Sequence, residues 1–313
     1  MKTFNISIKR YERVPQGWIF GEHSKEVQKT FGRKPGVYFF VKLPASFWHP
    51  KTFKVRSNFI LDGYASIGGK KRKVKIDMAA VWFEIKLLRQ SFASKEEMVA
   101  YVMRRSSQNP WLIKTDDRKY RLGTEINVAQ SGSEWLIVDC ELGRNINEER
   151  IPTAELSIYS LINLFDWQAP HSEVRYIGKN ETRMMKRVSK HEKWGPVTAL
   201  KERNDDIAIY FMEVEASSAD VRPDGSLKEF RDSNVTDTEA ILIAEVALIK
   251  LFDPLHNTGS TKGEVRDSER VQVLHRNKYD AISVHFELVG GLSTMGTPKA
   301  GFLAAHSACY NLR

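Results

Sequence analysis

At 313 residues, with 42% hydrophobic and 28% charged residues, the chain is long enough for two ordinary domains and too apolar to be disordered. No apolar run approaches the roughly 20 residues that a membrane-crossing helix needs, and two cysteines without metal-type spacing, Cys140 and Cys309, point away from a disulfide framework and towards a cytoplasmic setting. The net charge of +9 is unevenly spread: residues 1–150 hold 28 Lys/Arg against 16 Asp/Glu and residues 151–257 hold 13 against 18, so attraction to a polyanion belongs to the first half.

The N-terminus, Met1-Lys2-Thr3-Phe4-Asn5-Ile6, alternates like a strand and lacks the apolar stretch of a signal peptide. Residues 37–41 are a short β-branched and aromatic run, and residues 59–67 and 74–82 are further strand candidates. Between these two lies Gly68-Gly69-Lys70-Lys71-Arg72-Lys73, a glycine turn with four cations. It reads as a hairpin tip that either touches phosphates or is only solvated. Ser94, with Glu97 three residues on, opens a helix whose apolar face is Met98, Val99 and Val102. Strands are expected near 125–129 and 135–140. Trp48 and Trp111 suit a core or interface better than an exposed base-stacking role. The polar stretch 143–152 ends in proline and is the expected boundary of a basic, mostly-β domain over residues 1–150 that would hold DNA.

The second half alternates more clearly. Strands are expected over 156–165, 174–177 and 206–215, with a basic helix over 182–193 between the last two. A strongly apolar helix over 237–251 is stopped before Pro254. Residues 258–313 read as an extension packed on this domain, with one strand candidate over 282–289.

Three pieces of this half carry chemistry. They are Ser157-Ile158-Tyr159; Tyr176-Ile177-Gly178-Lys179 followed by Arg187 and His191; and the helix containing Glu239 and Glu245, running on to Asp253-Pro254-Leu255-His256-Asn257. Taken in order they resemble the GIY-YIG nucleases, over residues 151–257 only, and the third resembles the last helix and Pro-x-x-Asn end of the nuclease module of the bacterial excision-repair incision protein. Ser157 stands in place of the family's first glycine. Arg187 lies about one residue further from the second tyrosine than in compact members, so Lys186 or Arg183 competes for its role.

The resemblance implies an α+β fold with a small antiparallel sheet and flanking helices, beside the mostly-β N-terminal domain. It also implies a metal-dependent endonuclease that hydrolyses DNA. Glu245 would hold Mg²⁺ or Mn²⁺, and Arg187 would meet the non-bridging phosphate oxygens. Tyr159 would take a proton from water, with Tyr176 its rival and His191 relaying the proton. Gly178, Lys179 and Asn257 would support the site, and Lys70, Lys71, Arg72 and Lys73 would contact nucleic acid. DNA is the expected partner, with RNA open, no membrane, and a homodimer or higher oligomer open. Restriction or phage defence suits such an enzyme. The alternatives are a catalytically inactive nucleic-acid-binding protein and a protein-interaction module on the same fold.

Overall fold

The computed structural model describes residues 1–21, 24–31, 36–57, 60–84, 92–100, 113–114, 120–121, 124–129, 131–140, 154–158, 171–180, 188–199, 201–222, 224–258, 263–288 and 294–313. They fall into two compact units. The first joins Met1–Pro44 to Pro170–Arg313, and the second is Ala45–Ala169. The boundary expected at 143–152 falls inside the second unit, which interrupts the first as an insertion.

The first unit opens with strand β1 (Lys2–Pro15), short helices α1 (Gln16–Phe20) and α2 (Ser24–Phe31), and strand β2 (Gly36–Pro44). The run expected at 37–41 is the heart of β2. It is buried on both faces, as a central strand must be.

The insertion holds β3 (Ser46–Trp48), β4 (Lys54–Ser57), β5 (Ile60–Ile67), β6 (Lys70–Asp77), helix α3 (Met78–Glu84), the ribbon of β7 (Ile113–Lys114) and β8 (Tyr120–Arg121), and a sheet of β9 (Thr124–Ile126), β10 (Trp135–Cys140) and β11 (Ala154–Ser157). β5 pairs with β6 along one edge, while β3 and β4 share the other. The expected hairpin joins β5 to β6 through Gly68 and Gly69, whose φ of 56° and 76° suit glycine. Trp48 is buried and its indole N–H donates to the Leu156 carbonyl (2.7 Å), which makes it core. Ser94 and Glu97 form the expected cap: Glu97 N–H donates to Ser94 Oγ (3.1 Å) and Ala93 N–H to Glu97 Oε2 (2.8 Å).

The first unit then resumes with β12 (His171–Asn180), α4 (Trp194–Ala199), β13 (Asp205–Val221), β14 (Leu227–Phe230), α5 (Asp237–Phe252), α6 (Gln272–Arg276), β15 (Ala281–Glu287), β16 (Thr294–Thr297), β17 (Gly301–Leu303) and β18 (Ala305–Asn311). The sheet runs β17-β16-β12-β2-β13-β1-β15-β18, with β14 added on β13. Two neighbouring pairs, β1 with β15 and β12 with β16, are parallel.

This corrects the expected fold class. The sheet is large and mixed, with nine described strands, and is neither small nor purely antiparallel. The reason lies in the flanks. β1 has 14 residues and lies between β13 and β15, so the N-terminus becomes an interior strand. The C-terminal residues supply β15 to β18 and are part of the sheet itself.

Helices cover both faces. On one, Phe39 of β2 packs against Phe252 of α5 (5.6 Å between ring centroids) and stacks on Phe286 of β15 (5.7 Å). On the other, Tyr38 and Phe40 of β2 join Ile207, Ile209 and Phe211 of β13, beneath Ile19, Val27, Trp194 and Val197 of the short helices. Helix α5 is buried along most of its length and opens on a capping box, in which Glu239 N–H donates to Thr236 Oγ1 (3.2 Å) and Thr236 N–H to Glu239 Oε2 (2.8 Å).

Candidate functional site

Tyr176-Ile177-Gly178 lies on β12, paired antiparallel with β2. Arg175 is the extra residue of a bulge, after which Tyr176 faces Phe40, Ile177 faces Phe39 and Gly178 faces Tyr38. Tyr176-Ile177-Gly178 is therefore paired with Tyr38-Phe39-Phe40, and Tyr38 is the last residue of Gly36-Val37-Tyr38. Those residues, more closely than Ser157-Ile158-Tyr159, have the Gly-Ile-Tyr form. Paired residues project to the same face, so Tyr38 and Tyr176 come together with ring centroids 6.3 Å apart.

Gly178 is what lets them meet. A Cβ there would lie 2.6 Å from Cζ and Oη of Tyr38 and 2.8 Å from Cε1 of Tyr176. His191 closes the cluster, 4.9 Å from Tyr176 and 5.9 Å from Tyr38. Tyr38 is fully buried, whereas Tyr176 and His191 keep some exposure. His191 lies in a turn just ahead of α4, and its Nδ1 accepts the N–H of Lys193 (3.1 Å). In the neutral ring that bond places the proton on Nε2, which can then donate.

The segment after α5 closes the open edge of β12. Asn257 accepts from Ile177 N–H with Oδ1 and donates to the Ile177 carbonyl with Nδ2, both at 2.8 Å. His256 N–H donates to the Arg175 carbonyl (3.0 Å). A side-chain amide thus stands in for a neighbouring strand. Burial, then the charges of Arg175 and Lys193, hold the His256 imidazole below its ordinary range.

The structure does not bring Glu245 to this cluster. Glu245 is buried in α5, where its carboxylate accepts from Arg270 Nη1. Successive strand residues face opposite sides. Phe39 meets α5 and Phe40 meets Tyr176, so Glu245 and the two tyrosines lie on opposite faces of the sheet. Lys179 pairs with Val37 and belongs to the α5 face as well. A Mg²⁺ or Mn²⁺ ion shared by Glu245 and Tyr176 does not fit this arrangement, because the carboxylate is already neutralised by a guanidinium across the sheet. Tyr159 and Arg187 lie outside the described residues; Ser157 and Ile158 belong to the insertion. Tyr38 is the residue that sequence reasoning missed. Its signal was the tripeptide Gly36-Val37-Tyr38, hidden by the long insertion before its partner.

In the insertion, Lys70, Lys71, Arg72 and Lys73 are all exposed on β6. They divide between two faces. Lys71 and Lys73, with Lys75, project outwards, whereas Arg72 follows the register of buried Val74 and Ile76. Lys71 Nζ lies 4.6 Å from the ring centre of Tyr64, one of the exposed aromatic side chains. Among the described residues no helix is long and apolar enough to cross a membrane. Comparison with family models, curated proteins and solved structures finds no match.

Proposed function

We infer that the chain hydrolyses phosphodiester bonds of nucleic acid, with the first unit supplying the chemistry and the basic strand of the insertion holding the polymer. The observation that carries this reading is the antiparallel pairing of β2 with β12, in which Tyr38 of Gly36-Val37-Tyr38 faces Gly178 and so meets Tyr176 on one face, with His191 against both rings. Two tyrosines from stretches separated by the insertion lie on one face of the sheet, which supports the resemblance.

Tyr176 is the phenol of the described pair that substrate can touch, and buried Tyr38 positions it. In this reading Tyr176, as its phenolate, takes the proton of the attacking water and later returns it to solvent. Water oxygen bonds to phosphorus, the ester P–O bond breaks, and the leaving oxygen is protonated from solvent. His191 donates from Nε2 to a phosphate oxygen, and Glu245 is structural. The test is incubation of the purified chain with plasmid and with circular single-stranded DNA, in Mg²⁺, Mn²⁺ or EDTA. Cleavage should fall about 10²- to 10⁴-fold in Tyr176→Phe, the range for removing a general base. Cleavage kept in Tyr176→Phe and lost in Tyr159→Phe would move that role to Tyr159.

A second reading, nucleic-acid binding without cleavage, is favoured by the pairing of Glu245 with Arg270, which occupies the carboxylate that the resembling nucleases give to the metal. Binding with no cleavage of either DNA form under any metal would establish it.

A further inference from the structure

We propose that the outer face of the β4-β5-β6 sheet is a platform for single-stranded nucleic acid, with Tyr64 stacking on a base and Lys71, Lys73 and Lys75 tracking the phosphates. The proposal rests on the reading that the chain acts on nucleic acid and names the form of the polymer.

The geometry supplies a row and a stacking ring. Lys71, Lys73 and Lys75 alternate along β6, so their side chains leave the same face at intervals of about 6.8 Å. They sit opposite Ser66, Tyr64 and Asp62 of β5, which puts Tyr64 directly across from Lys73 and diagonal to the other two. Lys71, Lys73 and Lys75 are exposed, and Tyr64 is 39% exposed, a large share for an aromatic ring in mid-strand. On the far side, Lys54 pairs with Asp62 in register, and Arg56 forms an ion pair with Asp62 (2.5 Å). Strands β4, β5 and β6 place two carboxylates on this face: Asp62, which Arg56 neutralises, and Asp77 at the end of β6, which is paired with Lys95 (3.1 Å).

The inner face of the same strands is different in kind. Leu61, Ala65, Val74 and Ile76 are buried there, and Gly63 admits the Phe53 ring, whose Cγ lies 2.4 Å from where a Cβ would be. The inner face is therefore filled by packing. On the outer face Ser66 is buried and bonded to His49, but among the described residues no ion pair engages Lys71, Lys73 or Lys75, and Lys71 contacts the Tyr64 ring. That contact costs little to open, because an exposed cation–π pair is weak. A base has a π-face of its own to offer Tyr64, and Lys71 can turn to a phosphate. A duplex keeps its base faces stacked inside and can use only the lysines, so the ring in the middle of the patch argues for a single strand.

The test is a fluorescence-anisotropy titration of the full chain, in EDTA, with a labelled oligothymidylate and with a hairpin duplex of equal length. The single strand should bind more tightly. Tyr64→Ala should weaken its binding about five- to a hundredfold, the range for losing one base stack, and Tyr64→Phe should keep it. Changing Lys71, Lys73 and Lys75 together to Gln should reduce the slope of log affinity against log salt by about 2, at roughly 0.7 per phosphate contact on a single strand. Tighter binding of the duplex, wild-type binding by Tyr64→Ala, or an unchanged salt slope would each overturn the proposal. The assay needs no cleavage, so loss of the catalytic reading and loss of this one are separate results.

Discussion

At Gly178 the candidate site tolerates no added carbon. A methyl group there would collide with both tyrosines, each fixed in a packed face. Gly178→Ala should lower stability by about 1–3 kcal/mol, the usual cost of overpacking, and should reduce cleavage further than the loss of folded protein accounts for. Thermal unfolding and cleavage measured on one preparation check both parts. Glu245 behaves differently in this account. Its partner is Arg270, so Glu245→Gln should destabilise by roughly 1–3 kcal/mol, less than for a fully buried pair because Arg270 keeps contact with water. In a double-mutant cycle with Arg270→Gln the second change should add little; two fully additive losses would mean that the pair does not interact. Tyr176, Gly178 and Asn257 were legible in the sequence because they belong to short local patterns. Tyr38 and Arg270 were not, since each acquires its role from a residue far along the chain.

Whole elements were read well where the signal was local. The glycine turn between β5 and β6, the cap at Ser94 and the apolar helix α5 each follow from neighbouring residues whose propensity, capping and periodicity agree. Pairing between distant strands was not legible. β1 shows alternation, but nothing within it says that it lies between β13 and β15. A buried polar network fixes its start: Lys2 Nζ donates to Asp232 Oδ2 (2.9 Å), Tyr279 Oη donates to the same oxygen (2.8 Å), and Ser218 Oγ lies 2.5 Å from Tyr279 Oη. The hydrogen bond from Lys2 leads the causes that hold the Asp232 carboxyl down at about 2. A depressed carboxylate stabilises the fold above its unfolded value near 4, and that contribution is lost as pH falls towards 2. Urea unfolding of wild type should therefore show an acid limb in that window. Asp232→Asn should flatten it, and an unchanged limb would assign it to other groups.

For the molecule as a whole, the expected boundary reflected a real change in composition but not the path of the chain. The N-terminal 44 residues carry strands of the same sheet as the C-terminal segments, while the exposed basic strand β6 belongs to the insertion. Charge counts along a sequence cannot register that the first strands rejoin the last, because that depends on backbone pairing over most of the chain's length. The strand expected around Tyr176 is present as β12, and β2 is what pairs with it. The metal that the resemblance gives Glu245 does not suit its place across the sheet, beside Arg270.

One comparison tests the central claim most directly: cleavage of DNA by wild type, Tyr176→Phe and Glu245→Gln, side by side, with folded fraction measured for each. The account predicts cleavage by wild type, its loss in Tyr176→Phe, and its retention per folded molecule in Glu245→Gln. Loss in Glu245→Gln with Tyr176→Phe still active would contradict it and place the chemistry on the α5 face of the sheet.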